Sequence, residues 1–136
     1  MSVIPTIRYA DAGRMVDWLC EAFQFDRHLV VESDDGTVIH AQLTWFDGMI
    51  MLSQAQGNPF DEYQKPPGEV GGPGSSSAYI MVSDLDDHYA QAAAAGADIV
   101  LELDDHGQGP MYSCRDPEGQ LWNFGTYDPW GTPHDV

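Results

Sequence analysis

The 136-residue chain predicts an α+β fold made of two strand-helix-strand-strand-strand (βαβββ) units. Three observations carry this. Helical periodicity of apolar residues occurs twice, each time directly after a strand-like run. Each helical stretch is followed by three strand-like runs joined by turns. The second series also repeats the first, with Asp84 lying 73 positions after Asp11 and Gly119 lying 71 after Gly48, as expected for an internal duplication.

In the first unit, VIPTIRY (3–9) reads as a strand. Asp11 is a good N-cap, and Met15, Leu19 and Phe23 recur with Trp18 and Ala22 at three- and four-residue spacing, so a helix runs from about Asp11 to Phe23. RHLVVES (27–33), VIHAQLTWF (38–46) and MIMLSQ (49–54) follow as strands, separated by turns at Asp34-Asp35-Gly36 and Asp47-Gly48. The next stretch holds four of the nine prolines and five of the fourteen glycines, a composition that excludes long regular elements. The pattern then restarts with SSAYIMVSD (76–84) and a helix from Leu85 to Gly96, with Asp84 as cap and Gly96 as stop. DIVLELD (98–104), PMYSCRD (110–116) and LWNFGTY (121–127) close the second unit. Residues 1–136 are therefore expected to form a single domain, with module one at about 3–54, a linker at 55–76 and module two at about 77–130. Each half alone is too small to bury a good core, so the halves must pack together or against a second chain.

Asp and Glu total 22 against 5 Lys and Arg, for a formal net charge of -17. Phosphate binding needs clustered cations, and Arg8, Arg14, Arg27, Lys65 and Arg115 are scattered, so neither nucleic acid nor an anionic membrane is an expected partner. Such a net charge is read first as a means of solubility and second as a field that attracts a cationic guest. No apolar run is long enough to span a membrane and the start lacks the pattern of a signal peptide, so a cytoplasmic location is expected. Cys20 and Cys114 are expected as free, buried thiols.

The stretch DWLCEAFQF (17–25) after the first strand, and RDPEGQLWNFG (115–125) as the last hairpin, give the chain a resemblance to the vicinal oxygen chelate superfamily, from about Val3 to Trp130. That group includes glyoxalase I, extradiol dioxygenases, fosfomycin resistance proteins and bleomycin resistance proteins. In its metal-using members four inward-facing ligands, usually His, Gln or Glu, come from the first and last strands of each half. Carried over through the cap Asp and the hairpin Gly, those places fall on Ile4, Leu52, Ser77 and Asn123. Such side chains cannot supply the imidazole and carboxylate donors a divalent ion needs, so no metal or other cofactor is expected.

The resemblance then implies a metal-independent binding protein of the bleomycin resistance type, a homodimer holding a small organic molecule in a cleft between modules. The alternative it implies is a glyoxalase-like lyase with a displaced metal site, built from His40 with Glu102 or another carboxylate.

Strand alternation nominates the cavity wall. Ser77, Tyr79, Met81 and Ser83 share one side of their strand, with Ala78, Ile80 and Val82 on the core side. Asn123 faces away from Trp122 and Phe124, and His40, Gln42 and Thr44 oppose Ile39, Ala41, Leu43 and Trp45. The candidate ligand-binding residues are thus His40, Gln42, Ser77, Tyr79, Met81 and Asn123, expected around one cavity. His40, an imidazole inside a predicted strand, suits either a general base or a ligand hydrogen bond. His28, His88, His106 and His134 are expected at the surface.

Overall fold

The computed structural model describes residues 2–131 apart from 56, 72 and 108. Its elements are β1 (Thr6–Tyr9), α1 (Ala12–Phe23), β2 (Asp26–Glu32), β3 (Val38–Trp45), β4 (Gly48–Gln54), β5 (Ala78–Met81), α2 (Leu85–Ala94), β6 (Asp98–Asp105), β7 (Pro110–Arg115) and β8 (Leu121–Gly125), with short 3-10 turns at Pro59–Glu62 and Pro67–Glu69. The strands form two four-stranded sheets, ordered β1-β4-β3-β2 and β5-β8-β7-β6. In each, the first strand runs parallel to the last and the other pairs are antiparallel. The fold is the α+β duplication the sequence predicts.

Helix α1 forms where its apolar stripe is strongest, burying Met15, Val16, Leu19, Ala22 and Phe23. Asp11 caps it by accepting from Arg14 N at 3.1 Å. Asp84, expected to cap α2, makes no such bond. Its carboxyl group hydrogen-bonds Asp87 instead, which raises the Asp87 pKa.

The modules share one core. Phe23 of α1 meets Phe124 and Trp122 of the second sheet at ring-centroid distances of 4.7 and 5.4 Å, and Phe25 meets Trp122 at 5.9 Å. Asp116, in the turn between β7 and β8, accepts from Tyr9 Oη at 2.5 Å and Trp122 Nε1 at 3.0 Å. In the same turn Glu118 accepts the backbone N–H groups of Ala10 and Asp11 at the start of α1. The DPEG turn is therefore a staple between modules.

His88 is only 2% exposed, contrary to the surface position expected for it. It lies on the stripe of Leu85 and Ala92, the buried residues of α2, one turn from each. Its Nδ1 lies 2.6 Å from Tyr112 Oη and its Nε2 3.2 Å from Phe23 O. His28 and His106 are exposed, and His134 lies outside the described residues. Cys114 is fully buried, which pushes its thiol pKa up to about 12.

The two final hairpins differ, and this corrects one carried-over position. In module two, Arg115 pairs with Leu121 across a five-residue turn. In module one, Trp45 pairs with Gly48, so Phe46 and Asp47 form the turn and Gly48 is already in β4. Aligning the two glycines therefore displaces β4 by one residue. Thr6 pairs with Met51 as Tyr79 pairs with Asn123, which makes Met51, rather than the buried Leu52, the counterpart of Asn123.

Candidate functional site: two open sheet faces

Helices and core cover one face of each sheet. The opposite face of the first sheet carries cross-strand rows in which Arg8 pairs with Ser53 and Ser53 with His40, and Thr6 pairs with Met51 and Met51 with Gln42. On the second, Tyr79 pairs with Asn123 and Asn123 with Ser113. Tyr79 and Trp122 lie on opposite faces, because neighbouring residues on β8 alternate.

Ser77, Tyr79 and Met81, together with Ala78 and Ile80 between them, line a groove of about 600 Å³ at the edge strand β5, which Trp45, Phe46 and Trp130 also line. Trp45 Nε1 donates to Met81 O at 3.0 Å, a hydrogen bond from one module to the other. Trp130 is 90% exposed and Phe46 83%, an unusual presentation of aromatic surface. Phe46 holds a left-handed φ of 52°, a strained conformation for a bulky residue.

Tyr79 is fixed at both ends. Its hydroxyl donates to Tyr127 O at 2.8 Å, and its ring lies over Gly125, where an added Cβ would meet Tyr79 Oη at 2.7 Å. Gly125 thus gives the ring its seat. Beneath it, Asn123 Nδ2 donates to Ser77 Oγ at 2.9 Å and Ala78 O at 3.0 Å, while its Oδ1 accepts from Ser113 Oγ at 2.7 Å. Its carboxamide holds β5, β7 and β8 together below Ser77.

His40 and Gln42 stand elsewhere, which corrects the expectation of one shared cavity. Alternation assigns a face within a strand but not which sheet or pocket that face meets. His40 lines a separate cavity of about 230 Å³ with Arg8, Met51, Asn58, Phe60 and Gln64, under the first 3-10 turn. Gln42 Nε2 lies 3.2 Å from His40 Nε2.

Sequence reasoning passed over Arg8 as one of five scattered cations. Arg8 is 1% exposed. Its guanidinium donates to Ser53 Oγ at 3.2 Å, to Asn58 Oδ1 at 3.1 Å and to the Asp61 carboxylate, with the Phe60 ring at 5.5 Å. A cation between Ile7 and Tyr9 in the first strand of so acidic a chain was the available signal.

The places of the metal ligands in this fold hold Ile4, Met51, Ser77 and Asn123, an uncharged set poorly suited to a divalent ion. Glu102 is exposed on β6 of the second sheet while His40 belongs to the first. Among the described residues no three or more His, Cys, Asp or Glu side chains group as a metal site, and no helix is long and apolar enough to cross a membrane.

Paired βαβββ modules, each with one sheet face under helix and core and the other left open, define a protein of the vicinal oxygen chelate class. The family model of the Glyoxalase/Bleomycin resistance protein/Dioxygenase superfamily matches residues 4–124, and the chain belongs to that superfamily. The crystal structure of TioX from Micromonospora sp. ML1 is similar at 33% identity, covering 94% of this chain and 99% of that one with a TM-score of 0.74. An uncharacterized protein of Mycobacterium bovis is 29% identical over 122 residues, 89% of this chain and 80% of its own length. The bleomycin-binding protein of bleomycin-producing Streptomyces verticillus, solved with copper(II)-bleomycin, shares the fold at 17% identity, covering 94% and 97% with a TM-score of 0.63.

Proposed function

We propose that this protein is a metal-independent small-molecule binding protein that holds an organic ligand in the groove between its modules. The observation that carries this reading is the groove of about 600 Å³, within the size range of ligand sites, whose aromatic walls come from both modules. Tyr79 and Met81 supply flat and polarizable contact surface, and Ser77 a hydrogen-bonding hydroxyl. Asn123 braces Ser77, and His40, with Gln42 beside it, serves the neighbouring pocket. The bleomycin-binding relative, with copper(II)-bleomycin on the same fold, is in keeping with this. The net charge of -17 favours the approach of a cationic guest.

A thermal-shift screen of organic compounds, followed by affinity measurements on two variants, tests the reading. Tyr79→Ala weakens binding by about 1 to 3 kcal/mol, the scale of a stacked aromatic with its polar contact, while Trp122→Ala lowers stability by about 3 to 5 kcal/mol as a core truncation. Unchanged affinity in Tyr79→Ala would remove the groove as the site. We also infer a cytoplasmic homodimer, because pairing would cover part of the exposed apolar surface. Light scattering at micromolar concentration that returns the 15.0 kDa of one chain refutes the dimer.

A further inference from the structure

The buried cation of this acidic chain lies outside the groove, in the smaller cavity on the first sheet. The segment covering it, 58–64, is weakly attached. Its 3-10 turn buries none of its residues. Among the described residues its side-chain hydrogen bonds to the sheet run through Arg8 and through Gln64, whose Nε2 donates to Thr6 O at 3.1 Å. Segments held by a few polar contacts are the ones that open first.

The ion pair at its centre is unequal. The Arg8 side chain is 1% exposed and that of Asp61 34%. Asp61 also accepts the Gly57 N–H at 3.0 Å, a neighbour in its own segment, so it can turn toward water together with that segment, whereas Arg8 cannot and would be left as an uncompensated buried charge. Nor is Arg8 fully satisfied. Its Nε is enclosed and has no hydrogen-bond partner among the described residues. Nε together with an adjacent Nη is an edge of the guanidinium that grips a carboxylate with two parallel hydrogen bonds.

We propose that Arg8 is the recognition residue of a second binding subsite, for the carboxylate of an organic acid, and that Asp61 occupies the carboxylate's place until the ligand displaces it together with the 58–64 segment. The cavity beside Arg8 suits the rest of such a molecule, with Met51 and Phe60 as apolar walls and His40 as a polar contact. A carboxylate is the class indicated because the group Arg8 already holds is one. The negative field that favours a cation at the groove works against an acid here, and screening within about 8 Å at physiological salt weakens both effects alike. This subsite is independent of the Tyr79 groove, and either can fail without the other.

The test titrates the full ¹⁵N-labelled chain with benzoate and, in parallel, with the neutral benzamide and with inorganic phosphate. The signals followed are the backbone amides of Gly57, Phe60 and Asp61 and the Arg8 Nε–H. Benzoate shifts them saturably, while benzamide and phosphate leave them in place. Asp61→Asn keeps the side chain's shape but removes the competing charge, and strengthens benzoate binding roughly tenfold, equivalent to about 1.4 kcal/mol. The proposal is overturned if benzoate gives no saturable shift in the unmodified protein, or if benzamide or phosphate matches it. An affinity unaltered by Asp61→Asn overturns it equally.

Discussion

Replacing Tyr9 by Phe removes one hydroxyl, and with it a hydrogen bond of 2.5 Å to Asp116 that ties β1 to the β7–β8 turn of the other module. Asp116 keeps three donors, Trp122 Nε1 and the backbone N–H groups of Glu118 and Gln120, each at 3.0 Å. The expected loss is therefore that of one hydrogen bond to a charged acceptor, about 1.5 to 3 kcal/mol. Asp116→Ala is costlier, because it strands the buried Tyr9 hydroxyl and Trp122 N–H together. Part of that cost is recovered, since burial already holds the Asp116 pKa above the usual carboxylate value and the variant no longer buries a charge. The net expectation is about 3 to 5 kcal/mol. Urea denaturation followed by tryptophan fluorescence measures both, and the double variant closes a cycle. Since Tyr9→Phe then deletes a hydroxyl that Asp116→Ala has already stranded, the double variant should be at least as stable as Asp116→Ala alone. A cost below about 0.5 kcal/mol for Tyr9→Phe, or strictly additive losses, would refute the staple.

The remaining expectations concern His88 and metal. Burial lowers the His88 pKa below its ordinary 6.5, so the unfolded chain takes up the proton first. Its contribution is then fully present above pH 6.5 and is lost as pH falls from there toward the folded pKa. In His88→Phe the urea midpoint should lose that part of its pH dependence, and an identical slope in both proteins would contradict the assignment. Elemental analysis of the purified protein should find no tightly held divalent ion at one per chain, and chelator should leave the melting temperature unchanged. One zinc, nickel, manganese or iron per chain would refute it.

The duplication was legible because a cap Asp follows the first strand of each half and the stripe of α1 is strong. Strand faces were legible too, since the duplication and period-two alternation together set Tyr79 against Trp122. Most of what failed depends on a loop. Gly48 and Gly119 look equivalent in sequence, yet one opens a strand and the other lies inside a five-residue turn, which moved the expected position from Met51 to Leu52. His88 was misplaced because α2 buries few residues, and a histidine between Leu85 and Ala92 does not register as apolar. The separation of His40 from Tyr79, and the enclosure of Arg8 under residues 58–64, follow from the path of a Pro- and Gly-rich linker, which carries no periodicity to read.

The conformation of Phe46 sets two selective pressures against each other. A bulky residue at a φ of 52° carries strain of about 1 to 3 kcal/mol, which glycine at the same point would release. The same strain keeps an aromatic ring at the rim of the groove, edge-on to Trp45 at 5.0 Å. A laboratory lineage screened only for heat resistance should therefore accept Phe46→Gly early and erode ligand capture as it does so. A lineage screened for capture should retain the strained phenylalanine and gain its stability at sites distant from that hairpin.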